Sequence, residues 1–407
     1  MKKNTIVQVI LGLLIANTVF AGPSKWSSHT VFNQAPLEVK LGTYTDDSHS
    51  DLLTMVLWND GSMNRLDAVR VPSPYNGAGV TSTSLESTNV LFSLGDICRD
   101  NENIIVPYIK NFNVEIAVYT MSNWFTMSIP ETIANDFDSA DCAVGPNGVF
   151  VSTHDKDDSE IELFKLNPNL SGFTFYGRFG GVGNNIAGPF DGGVRDTLVM
   201  QRDGPFSMSL YQASSGMIRT AQFDSSVSPP AFTHRDIAQE TAPTGFAFVK
   251  ESYGARLRGY TVFGYNAASR AKAISINDSE PSNPTVRDLG QINNSGSQFN
   301  FQGGSTANYP GGLSRFDKIY VEWDKFYSYD RDSQTVEIDD EYPLEGVGGP
   351  VSNCRRELNE FESELFVVGP KVGSSGTDFH RIEISSPDTL FADGFESGDV
   401  SAWATCP

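Results

Sequence analysis

The chain has 407 residues, 37 of them glycine and 21 proline, with 29 basic and 50 acidic side chains for a formal net charge of −21. A field of that sign repels phosphate backbones, and no basic stripe with interleaved aromatics offsets it, which argues against nucleic acid as a partner. A chain this long can bury a large core without depending on metals or disulfides.

At the N-terminus, Lys2 and Lys3 precede an apolar run from Ile6 to Ala16 that is broken only by Gln8 and Gly12, and Val19-Phe20-Ala21 follows. A charged start, a short apolar stretch and small residues at the cleavage positions predict a secretory signal peptide over residues 1–21. The run is too short to span a bilayer, which takes about 20 apolar residues, and no later segment is apolar enough to do so. No Cys follows it to carry a lipid anchor. Removal of the segment leaves a net charge of −23. The expected location is extracytoplasmic: periplasm, cell surface or medium.

Residues 22–387 read as short runs rich in Val, Ile, Phe and Tyr, bounded by Gly, Asn, Asp, Ser and Pro, with no long helical period. The runs come in threes. The first set is Glu38 to Tyr44, Leu52 to Trp58 and Arg65 to Val71. Next come Ile104 to Lys110, Val114 to Tyr119 and Trp124 to Ile129, then Gly148 to His154, Ile161 to Leu166 and Gly172 to Phe179. Thr197 to Arg202, Phe246 to Lys250 and Lys318 to Trp323 open three more, and Leu365 to Val368 with Phe379 to Ile384 make a partial last set.

An aromatic closes the middle run of five sets, at Tyr119, Phe164, Tyr211, Tyr265 and Tyr329, with spacings of 45, 47, 54 and 64 residues. Four strands per unit at a period of roughly 40–50 residues predict an all-β single-domain β-propeller. Seven four-stranded blades fit best, with six or eight as alternatives. The first blade lacks an inner strand unless Trp26 to Phe32 supplies it, and the last lacks an outer one. One terminus is therefore expected to complete the other's sheet.

Four cysteines, Cys98, Cys142, Cys354 and Cys406, predict two disulfides in an exported chain. Cys98 and Cys142 each precede the first run of their set by six residues, which puts them on adjacent blades and pairs Cys98 with Cys142 and Cys354 with Cys406.

This layout resembles exported seven-bladed propellers with degenerate repeats, the TolB-like and quinoprotein-like group. The likeness rests on spacing and turn style. Trp-Asp endings, kelch double glycines and sialidase-type boxes are absent; Asn59-Asp60-Gly61-Ser62 shares only the turn with the last of these. Residues 388–407, with Phe391-Ala-Asp-Gly-Phe-Glu-Ser-Gly-Asp399 and Trp403, resemble a C-terminal tail of secreted proteobacterial proteins. That resemblance implies a sorting or attachment segment.

Among chemistry-bearing clusters, Asp155, Asp157, Asp158 and Glu160 alternate within one loop and form a candidate Ca²⁺ site, without the glycine and distal glutamate of an EF-hand. Thr45 to Asp51 is a similar loop, and Asp339-Asp340-Glu341 a weaker one. Polar hairpin loops of this composition are ordinarily solvated turns. No Gly-x-Ser-x-Gly elbow or His-Glu-x-x-His pair occurs, and the five histidines lack metal spacing. Arg195, Arg202, Arg256, Arg258 and Arg315 are candidates to line an axial mouth. Calcium is the one cofactor these motifs raise.

The first reading is a binding protein for a protein or glycan partner on a propeller face. The alternative is a secreted hydrolase or lyase acting on a polysaccharide through carboxylates gathered at the axis. A structural envelope component is a third.

Overall fold

The computed structural model describes residues 26–43, 51–100, 103–120, 123–129, 137–155, 159–180, 197–200, 206–212, 217–239, 243–249, 261–266, 270–277, 280–291, 305–307, 318–322, 325–330, 335–339, 352–357, 362–371 and 373–385. Its first strand is β1 (Trp26–Phe32). The first sheet is β2 (Pro36–Thr43), β3 (Leu52–Asn59), β4 (Asn64–Val71) and β5 (Thr81–Thr88). In the second, β6 (Leu91–Leu94) and β7 (Cys98–Asp100) share the inner edge of β8 (Asn103–Lys110), followed by β9 (Asn113–Thr120) and β10 (Asn123–Ser128).

The third sheet is β11 (Phe137–Gly145), β12 (Gly148–Asp155), β13 (Glu160–Leu166) and β14 (Phe173–Gly180). The fourth is β15 (Thr197–Met200), β16 (Phe206–Gln212), β17 (Met217–Asp224) and β18 (Thr233–Gln239). The fifth is β19 (Pro243–Val249), β20 (Thr261–Asn266), β21 (Arg270–Asn277) and β22 (Glu280–Gln291). A short β23 (Ser305–Ala307) precedes the sixth sheet, β24 (Lys318–Glu322), β25 (Lys325–Asp330) and β26 (Thr335–Asp339). The last sheet is β27 (Ser352–Glu357), β28 (Glu362–Pro370) and β29 (Thr377–Ser385), with β23 pairing parallel to β27 on its inner side.

The fold is an all-β propeller of consecutive antiparallel meanders, each running outward from its first strand, with the parallel pairing of β23 and β27 as an addition to the last sheet. Among the described residues no helix is long and apolar enough to cross a membrane. The ring is closed by β1, which pairs with β29 from Trp26↔Ile382 to Phe32↔Thr377 and forms the outer strand of the last sheet. The expectation that one terminus completes the other's sheet is met. Trp26 to Phe32 is not an inner strand of the first sheet; β2 holds that place.

Neighbouring sheets pack face to face, so the second strands β3, β8 and β12 are buried on both faces and read as largely apolar runs. Leu52 to Leu57 of β3 are all buried. Leu53, Met55 and Leu57 face the second sheet with Ile104, Val106 and Tyr108, whereas Val56 joins Phe366 and Phe379 across the ring closure. Each such aliphatic side chain contributes about 1.5–3 kcal/mol on leaving water. Outer strands gain less, and β5, with the sequence TSTSLEST, is largely exposed.

The three-run sets correspond to different parts of their sheets. In the second and third sheets they are strands two to four, because the polar inner strand β11 (FDSADCAVG) escaped the hydrophobic pattern. In the fourth and fifth they are strands one to three. The aromatic anchors are accordingly not equivalent: Tyr119 and Phe164 lie on third strands, Tyr211 and Tyr265 on second strands.

Candidate functional site

One edge of the ring carries the loops between second and third strands and the links between sheets. At this edge of the third sheet, β11 begins at Phe137, β12 ends at Asp155 and β13 begins at Glu160. A bulge between Phe137 and Ser139 turns Asp138 onto the same face as His154, which pairs with Ser139 in register. His154 Nδ1 lies 2.6 Å from Asp138 Oδ1, and both side chains are buried. With the proton on Nδ1, His154 donates to the Asp138 carboxylate, and Nε2 carries the lone pair. Among the described residues, His154 Nε2, Asp138 Oδ2 and Ser152 Oγ have no hydrogen-bond partner. The pair can accept a hydrogen bond, but no third His, Cys, Asp or Glu among the described residues completes a metal group with it.

Toward the axis, inner-strand carboxylates reach across to the next sheet. Glu38 of β2 accepts from Leu94 N of β6 at 3.1 Å, and Asp141 of β11 accepts from Leu198 N of β15 at 3.0 Å. Lys40 of β2 meets Asp96 at 2.9 Å. Charge-assisted bonds of this kind hold adjacent inner strands in register. The disulfide Cys98–Cys142 spans the remaining junction in this stretch, joining β7 to β11 with Cα atoms 6.0 Å apart.

Of the calcium candidates, Asp155 is buried and lies opposite Glu160 in the β12–β13 register. Glu160 pairs with Arg178 at 3.3 Å. Asp157 and Asp158 lie outside the described residues, as do Arg195, Arg202, Arg256, Arg258 and Arg315. In the Thr45 to Asp51 loop only Asp51 is described; it accepts from Arg70 Nε at 2.5 Å and from Ser73 N at 3.1 Å. Residues 340–341, the signal segment and the tail with Cys406 also fall outside; Cys354 sits on β27.

The Asn59 to Ser62 turn is self-contained. Asp60 accepts from Met63 N and from Ser62 N and Oγ, and also from Arg65 Nε, which together hold its carboxyl far below the usual carboxylate range. Gly61 takes φ +94° there, open to glycine at little cost. Asp67, by contrast, is pushed up by burial against the opposing bond from Trp58 Nε1.

Sequence reasoning missed the Asp138–His154 pair and the Glu38 and Asp141 links. A signal for the first existed: Gly145 and Gly148 close a tight β11–β12 hairpin, which brings residues near 138 and 154 side by side. The links end on backbone N–H groups of another sheet, for which no residue pattern exists.

No family model matches this chain, and no curated protein matches it. Similar solved structures include a chain of the mitotic checkpoint complex, with 9% identity, 90% of this chain and 96% of that chain covered and a TM-score of 0.50. YCF48 from Cyanidioschyzon merolae matches with 11% identity, 88% and 98% coverage and a TM-score of 0.47. The six-bladed lectin of the fungus Aleuria aurantia matches with 10% identity, 87% and 93% coverage and a TM-score of 0.43. Identities this low speak to the fold alone.

Proposed function

We propose that this protein is an extracytoplasmic seven-bladed propeller that binds a protein or glycan partner without turning it over. One observation carries the reading: Glu38 and Asp141 of inner strands β2 and β11, and Asp96 of the link between β6 and β7, are engaged in joining sheets. A glycosidase-type reaction needs two carboxyl groups about 5–9.5 Å apart and directed at the bond to be cleaved. Carboxylates bound to backbone N–H groups and to Lys40 serve the scaffold instead. In this reading each of the seven sheets among the described residues is one blade. Export rests on the signal segment 1–21 and the tail 388–407, with Cys354–Cys406 as the second disulfide. Calcium held by Asp155, Asp157, Asp158 and Glu160 belongs to the same proposal, and a rise in melting temperature on calcium addition, lost in D157N/D158N, is its test.

The mature protein, residues 22–407, is to be applied to a glycan array and to the retained polysaccharides in solution, with reducing-end release followed. Saturable retention without product supports binding. Product release would overturn it in favour of the polysaccharide hydrolase or lyase.

A further inference from the structure

The outer strands β5, β10, β14, β18 and β22 each follow their sheet partner directly in the chain, so a hairpin secures them. The ring-closing strand β1 has no such hairpin. Among the described strands it pairs with β29 alone, and residues 33–35 join it to the rest of the described fold. Peeling it away breaks one ladder and leaves every hairpin intact, the kind of opening expected at the low-stability end of a structure.

Beneath this ladder lies a cluster of polar and ionisable groups. His380 of β29 is buried, opposite Ser28 of β1 on one side and Val367 of β28 on the other. Asp378, two residues earlier, accepts from Thr30 Oγ1 of β1 at 2.7 Å, and Lys371 Nζ donates to the same Thr30 hydroxyl at 2.8 Å. His29 of β1 and Arg381 of β29, the latter opposite Ser27, are further ionisable groups at the seam. The neighbouring sixth sheet carries Lys318, Glu322, Lys325, Asp330, Glu337 and Asp339 in its strands.

We propose that the β1–β29 seam is an acid-sensitive latch, which releases β1 while the other sheets stay folded when His380 takes up a proton. Closed, the seam disfavours the imidazolium: burial pushes His380 down from 6.5 to about 4, with Asp378 favouring the charged form and His29 opposing it. Open, the ring titrates at its ordinary value. The contribution to closure is therefore complete above about pH 6.5, is lost as pH falls toward about 4, and does not fall further below that. Across that window the opening constant rises on the order of a hundredfold.

The test is hydrogen exchange of the mature protein, read as protection factors for amides 26–32 against those of β12, between about pH 7 and about pH 4.5. Protection of β1 is expected to drop by one to two orders of magnitude while β12 holds, and H380Q is expected to remove the drop. Loss of protection in β1 and β12 together, constant protection in β1, or an unchanged acid response in H380Q would each overturn the latch. The wild-type comparison decides the matter even if H380Q does not fold.

Discussion

The disulfide between β7 and β11 offers a direct test of how neighbouring sheets are held. Its cysteines are 44 residues apart. In the chain-entropy treatment, a loop of that length constrains the unfolded chain by about 4 kcal/mol at 25 °C. Replacing both residues with alanine also removes buried sulfur atoms, since Cys142 is fully buried and Cys98 nearly so. The cleaner perturbation is therefore reduction of a C354A/C406A variant, in which only this pair can form. Urea unfolding followed by tryptophan fluorescence, with and without reductant, should differ by about 4 kcal/mol, and the reduced form should behave like the four-cysteine-free protein apart from packing. Identical curves in the two conditions would refute the reasoning. So would peptide mapping of the unreduced wild type that found Cys98 joined to Cys354 or Cys406.

Three further outcomes follow from the packing. Phe379 is fully buried at the ring closure, 5.7 Å from Phe366 and 6.3 Å from Tyr75 between ring centroids; F379A should cost about 3–5 kcal/mol in thermal or urea unfolding. A Cβ on Gly95 would sit 2.5 Å from Pro107 Cγ and 2.7 Å from the Ala140 carbonyl oxygen. G95A should therefore destabilise by about 1–3 kcal/mol, measured by melting temperature, through the contact between second and third sheets. D141A strands the Leu198 N–H and should cost about 1–3 kcal/mol, whereas D141N, which keeps an acceptor oxygen, should recover most of it.

Legibility of this fold tracked burial. Strands such as β3, β8 and β12, apolar on both faces, stood out in the residues because two flanking sheets demand it. Outer strands did not, since β5 exposes most of its serines and threonines and β18 reads THRDIAQ. The inner strand β11 was hidden for the opposite reason: Asp138, Ser139 and Asp141 are buried, and the bonds that make such burial tolerable come from a hairpin bulge and from another sheet. The cysteines were informative because six residues before each clear strand is where the chain crosses its inner strand. For the site, local clustering of acids pointed to the 155–160 loop, yet the contact formed there is Asp138 with His154, sixteen residues away in sequence.

Ring closure by β1 also sets the order in which the molecule can be finished. Thr30 and Asp378, bonded across the closing ladder, are 348 residues apart. At a synthesis rate of about 5–20 residues per second, β1 waits roughly 20–70 s for its partner strand to exist. During that interval it is an unpaired edge, made first and placed last, while the hairpin-built sheets between can form in turn. A stop codon anywhere before residue 377 would consequently leave its defect at the opposite terminus: the earliest strand of the chain would have nowhere to bind.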